Sequence, residues 1–261
     1  MASVPTPAFE RVLRRDRAIV GAGLAGITVV AWVYLVQMAR AMGPMDAGMA
    51  MPQMHPWGAG ELAILIVMWV VMMAAMMLPS AAPMILTFAT VHRRRREERR
   101  PVVPTGVFVL GYVVVWSAFS VLAALLQWAL HAAALLSPAM TGTSPLAGGA
   151  LLVAAGLFQL TPLKRICLSR CRSPLSFLMT EWREGARGAF IMGVRHGVYC
   201  VGCCWVLMGL LFVAGVMNLL WVAAIAGFVL IEKVVPYGEH TSRVAGAVLI
   251  AAGVAVAFAP L

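Results

Sequence analysis

Long apolar runs alternate along the chain with short polar or basic connections. A helix needs about 20 mostly apolar residues to cross the hydrocarbon of a bilayer. Seven runs reach or approach that length: 18–38, 59–91, 105–136, 146–163, 188–215, 219–236 and 243–259. The pattern therefore predicts an all-α, polytopic transmembrane bundle of about seven spans. The second and third runs are longer than one crossing, so tilt, kinking or helix emerging from the bilayer is expected. Pro79 and Pro83 supply a cause for a kink in the second. The last run is rich in Ala, Val and Gly, whose small side chains permit close helix approach.

The connections carry the charge. Arg11, Arg14, Arg15 and Arg17 precede the first run, and Arg93 to Arg96 with Arg99 and Arg100 follow the second. Lys164, Arg165, Arg170, Arg172, Arg183 and Arg187 follow the fourth, and Lys233 and Arg243 flank the sixth connection. The opposite side receives only Arg40. By the positive-inside rule the N-terminus is cytoplasmic and the C-terminus exterior. The expected organisation is a cytoplasmic arm over 1–17 and one membrane domain over 18–261. Within it lie a Met-rich exterior connection at about 39–58 and a Cys-containing cytoplasmic connection at about 164–187. Ala39-Arg40-Ala41 imitates a signal-peptide cleavage site, but the preceding apolar run is longer than the 7–15 residues usual there, so a retained span is expected. In the stretch 173–187, Ser173 as N-cap and Pro174 at the first helical position predict a short interfacial helix. The arginine run at 93–100 reads as a topology anchor in contact with anionic lipid.

Composition agrees. The chain of 261 residues is 62% apolar and 11% charged, where a soluble domain carries about 25% charge. The net charge of +10 does not point to nucleic acid, because the basic residues sit between apolar spans. No GxxxxGK[ST] loop and no strand-borne GxGxxG is present, so nothing marks an ATP-binding unit. Five cysteines, three of them within residues 200–204, suit a thiol or metal site better than a disulfide framework.

Three features carry candidate chemistry. Met192, His196, Cys200, Cys204 and Met208 follow one another at i+4 on the fifth run, one turn apart on one helix face, with Cys203 beside them. Imidazole, thiolate and thioether are the ligands of a soft or borderline metal, copper first and zinc as an alternative. Against this stands inert packing, since buried Cys is common. The second feature is methionine. Met68, Met72 and Met76 form a stripe on the second run, with Met73 and Met77 next to it, and Met84 beyond. Inside a span, methionine is also a good filler. In the connection before it, Met42, Met45, Met49, Met51 and Met54 with Asp46 and His55 have no core to fill and read as metal capture. The third is Cys167 and Cys171, an i+4 pair among Lys164, Arg165, Arg170 and Arg172, suited to receiving or releasing a soft ion or to redox pairing. Glu232 lies near the cytoplasmic end of the sixth run, either paired with Lys233 or facing the site.

The segments Trp69-Val70-Val71-Met72-Met73-Ala74-Ala75-Met76-Met77-Leu78-Pro79 and His196-Gly197-Val198-Tyr199-Cys200-Val201-Gly202-Cys203-Cys204-Trp205 resemble a bacterial family described as metal-binding integral membrane proteins. Similar too are Lys164-Arg165-Ile166-Cys167 with Cys171 and Pro174, Gly215-Val216-Met217-Asn218, and Glu232-Lys233. The resemblance runs over about 57–239 and implies a bacterial inner-membrane location and metal binding, without implying a reaction. The leading expectation is copper transport or delivery, with lipids, the metal ion and a metallochaperone or partner subunit as partners. Its rivals are a copper-dependent membrane oxidoreductase acting on a lipophilic substrate and an assembly factor whose cysteines only pack.

Overall fold

Residues 7–41, 58–97, 104–133, 145–216 and 218–258 are described by a computed structural model, and all their regular elements are helices. α1 (Pro7–Ala41) packs on α2 (Ala59–Glu97), which runs unbroken through Pro79 and Pro83 and also meets α3 (Thr105–Ala132). The Trp69 indole nitrogen donates to the Gln127 carbonyl oxygen at 2.7 Å and ties α2 to α3 away from any backbone contact.

α4 (Pro145–Leu160) stops where Thr161-Pro162 interrupts it. Pro162 lacks the N–H that would extend the helix, and the Thr161 hydroxyl caps a new one by accepting from Lys164 N at 3.3 Å. The new helix, α5 (Pro162–Arg172), leaves at 63° to α4. α6 (Pro174–Glu181) starts with Pro174 at its first position, as expected, and α7 (Gly185–Gly209) follows. After the four-residue α8 (Leu211–Ala214), Gly215 adopts φ 94°, a turn that a side chain would strain. Asn218 then caps α9 (Leu219–Val234), accepting from Leu220 N at 3.2 Å, and α10 (Gly238–Ala257) closes the described chain.

Five of these helices are long and apolar enough to cross a membrane, six when α4 and α5 count as one broken span. The sixth expected run differs: α9 has 16 residues. At 1.5 Å per residue that is about 24 Å, short of the ~30 Å hydrocarbon thickness. Lys164 also departs from the expected solvent-exposed connection, since α5 folds it fully inside the bundle. Ile64, Leu122, Leu157 and Val248 are more than half exposed, whereas Gln127, Gln159, Lys164, His196, Glu232 and Lys233 are buried within an otherwise apolar core. Large apolar side chains on the outside and polar groups within fit helices surrounded by a bilayer.

Glycines set the two tightest non-local pairings. α4 meets α10 where Gly149 faces Gly253 and Gly156 faces Gly246; a Cβ on Gly149 or on Gly156 would stand 2.6 Å from the opposing carbonyl oxygen. Each helix spaces its pair seven residues apart, two turns, so both contacts fall on one seam. α3 meets α7 through Gly111, Gly193 and Gly197. A Cβ at Gly111 would lie 2.9 Å from Val194 N, one at Gly193 would overlap the Phe108 carbonyl oxygen, and one at Gly197 would touch Val115 at 2.9 Å.

Gly193→Leu is therefore expected to drive α3 from α7 and to cost at least the ~1–3 kcal/mol of an overpacked interior. In detergent its thermal unfolding midpoint should fall well below that of wild type. Gly23→Leu, at a position with nothing within 4 Å, should leave the midpoint unchanged.

Candidate metal centre

α7 presents the expected face as one buried surface: Met192, Cys200, Cys204 and Met208 are fully buried, and His196 and Cys203 nearly so. Gly193 and Gly197 alternate with these residues and admit the α3 backbone. That approach brings the Tyr112 hydroxyl to 3.2 Å from the Cys200 sulfur. The same hydroxyl donates to the Met77 carbonyl oxygen of α2 at 3.2 Å, which also accepts from Ser80 Oγ at 2.9 Å.

Cys200 is the node. Besides its contact with Tyr112, its sulfur accepts from the Lys233 ammonium of α9 at 2.9 Å, and that ammonium also donates to Ser80 Oγ at 3.0 Å. The Cys203 and Cys204 thiols both turn back to the Cys200 carbonyl oxygen, at 3.1 and 2.9 Å. Cys204 also stands 4.0 Å from the Met77 thioether sulfur. From α5, the Cys171 thiol is buried near those of Cys200 and Cys203. All five cysteines are free.

His196 sits one turn before Cys200 in a box of rings, with Phe108, Tyr112 and Phe177 at centroid distances of 6.1, 5.5 and 5.6 Å. Phe108 and Tyr112 stack on the imidazole, and Phe177 meets it at 66°. Among the described residues neither ring nitrogen has a hydrogen-bond partner, although the side chain is buried. A buried polar atom without a partner is costly and calls for an explanation. Neutral imidazole is the commonest side-chain metal ligand, so a metal ion is one partner that would fit.

The remaining sequence candidates are distributed unevenly. Cys171 of α5 lies at the edge of the α7 thiols, one turn from Cys167. Cys167 packs its sulfur against Gly202 of α7, where an added Cβ would come within 2.9 Å of it. Met73 faces Tyr112 and Trp116 between α2 and α3, while Met72 and Met76 are buried on the same helix. Glu232 pairs neither with Lys233 nor with the thiols. Both its oxygens accept from the Lys164 ammonium, at 2.7 and 2.8 Å, and Ser242 of α10 donates to it at 2.6 Å. Gln159 of α4 accepts from the same ammonium. The Met-rich connection, with Met42 to Met54 and His55, lies outside the described residues, as does Met217.

Tyr112, Ser80 and Lys233 were not singled out from sequence. Lys233 carried a signal, because an ionisable residue next to a long apolar run is a site candidate by default. Tyr112 and Ser80 carried none: each is an ordinary residue of its helix until the packing is known.

The donor set suits a soft ion. With a metal–sulfur bond of about 2.3 Å, two sulfurs on one ion stand at most about 4.6 Å apart. The 4.0 Å between Cys204 and Met77 allows both on one ion without moving either helix. Among the described residues no group of three or more His, Cys, Asp or Glu side chains is gathered so as to hold a metal ion. The cluster is instead a mixture of thiol, thioether and imidazole, unlike the tetrahedral thiolate and imidazole shell of structural zinc.

The fold and the buried face together define an apolar helical bundle with thiol, thioether and imidazole side chains at its centre. The chain belongs to the PpoB2 family, described as copper chaperones, whose model matches residues 66–256. The match spans every cluster residue and leaves out α1. No curated protein and no solved structure matches the chain.

The ion pair beside the cluster yields a test. Glu232→Gln strands the buried Lys164 charge and is expected to cost about 3–5 kcal/mol. Adding Lys164→Met to it should recover much of that loss, so denaturation of the double variant beside both single variants should show strong non-additivity.

Proposed function

We propose that the chain binds cuprous copper in the interior of the bacterial inner membrane and passes it on, as a membrane copper-transport or delivery protein. The observation that carries this is His196: a buried imidazole with both nitrogens unpartnered among the described residues, one turn from Cys200 and its neighbouring thiols. The family description supplies the metal.

In this reading His196, Cys200, Cys203 and Cys204 hold the ion, with Cys171 from α5 completing the thiol group. Met77 forms the entry from α2, since its sulfur already adjoins Cys204. Met72, Met73 and Met76 extend the thioether line along α2, and Met208 extends it along α7. Copper moves between such ligands by exchange, because successive sites of similar softness keep each step shallow. The exterior Met/His connection captures the ion, and Cys167 lies where it leaves toward a cytoplasmic acceptor, in the orientation set by the arginines. Glu232 acts on the site only by fixing α5 and α9 through Lys164. Copper is cargo here, and no reaction on a second substrate is required.

Purified protein loaded under reducing conditions should retain copper through desalting, and His196→Ala/Cys200→Ala should lose it, as read by elemental analysis. In proteoliposomes wild type should carry cuprous ions and Cys204→Ala should not. Protein that takes up no copper while its thiols resist alkylation in the folded state would sink the proposal. Retained copper without flux would restrict it to delivery.

A further inference from the structure

Two lysines are buried in the bundle, Lys164 and Lys233. Lys164 faces the carboxylate of Glu232 at 2.7 Å. Lys233 faces no carboxylate among the described residues; its acceptors are Ser80 Oγ at 3.0 Å and Cys200 Sγ at 2.9 Å. Glu232 precedes it in sequence, but successive residues point about 100° apart around a helix, and Glu232 is turned onto α5. An ammonium in an apolar interior is stable only against a compensating anion. The groups around Lys233 that can supply one are the phenol of Tyr112 and the thiols of the cluster, with Cys200 in direct contact.

We propose that Lys233 is the built-in counter-cation of the copper site and that its single charge favours a monovalent over a divalent ion. This rests on the copper reading above. A cuprous ion that displaces the protons of two of the cluster's cysteines, the others staying as neutral thiols, forms a unit with one negative charge. The Lys233 ammonium brings the total to zero. A divalent ion with the same two thiolates leaves one uncompensated positive charge, or else requires a third of these thiols to be ionised inside the bundle. In a low-dielectric surrounding the neutral assembly is strongly preferred. Ser80 makes the arrangement workable, because the ammonium keeps that acceptor when the Cys200 sulfur turns to the metal. Lys233 is a positioning residue: it does not ligate the ion, and it acts through the charge of the groups that do.

The test compares full-length wild type, Lys233→Met and Lys233→Arg in detergent under reducing conditions. Cuprous and zinc affinities are each measured by competition with a chromophoric chelator. Lys233→Met should bind cuprous ion at least about tenfold more weakly while zinc affinity holds or rises. Lys233→Arg, which keeps the charge, should stay within about threefold of wild type for both. Unchanged cuprous affinity in Lys233→Met would overturn the inference, and so would equal losses for both metals, which mark a packing role alone. If Lys233→Met does not fold, Lys233→Gln keeps a hydrogen-bond donor without the charge and carries the same expectations. Wild type that binds no cuprous ion would refute the copper reading itself. Copper-binding wild type with an indifferent Lys233 refutes only the counter-cation.

Discussion

A lysine ammonium held between apolar helices must have an acceptor, and Lys233 has the sulfur of Cys200. Most of the centre is arranged around that contact. It joins α9 to α7, and through Ser80 it reaches α2 at the turn where two prolines have thinned the helix's own donors. Tyr112 brings in α3 from the opposite partner of the same sulfur. Three helices therefore meet at one thiol, and α2 joins them through Ser80 and the Met77 carbonyl. Each has buried a polar group that is satisfied only while the others stay in place, so the cluster gains stability and definition together.

The polar contacts could not form without the glycines. An ordinary helix pair keeps its axes 8–10 Å apart. Gly111, Gly193 and Gly197 remove the side chains that would hold α3 and α7 at that spacing. Only then does a tyrosine on α3 reach a cysteine on α7. The same device on α4 and α10 carries Gln159 and Ser242 to the Lys164–Glu232 pair, because Gly156 and Gly246 sit within one turn of them. In both places close backbone approach comes first and the polar network is its consequence. The order suits an environment in which helix association gains little from hydrophobic burial.

What could be read from the sequence follows from the range of each interaction. Helix class and the buried face of α7 depend on periodicities within one segment, and both are plain in the string. The i+4 series from Met192 to Met208 needed only helical spacing to be recognised as a face. The bend between α4 and α5 was less accessible: Thr161-Pro162 marks a break, yet the apolar run continues to Leu163, and Lys164 reads as a surface residue. Pairings across helices were not legible. Lys233 follows Glu232 directly, so the natural guess joins them, whereas the helix sends one to Cys200 and the other to Lys164. The nearness of Cys171 to the α7 thiols was hidden too, because it depends on the angle of α5. Conversely, the length of α9 shows that an apolar run need not give a helix long enough to cross.

The mixture of groups at the centre bears on why a copper-handling chain would place its ligands there. A pure thiolate cage inside a bilayer would concentrate negative charge where charge is most costly. Thioether and neutral imidazole bind a soft ion without adding any. The thiols then need to supply only enough charge to hold the ion, and one ammonium can offset the excess. Such a site is shallow by construction, which favours transfer over storage. A rigid, closed four-cysteine shell would grip the metal more firmly and give it up less readily. On the copper reading proposed above, the partial gathering of these side chains across α2, α5 and α7, with a lysine at the key sulfur, suits a protein that holds copper on the way to somewhere else.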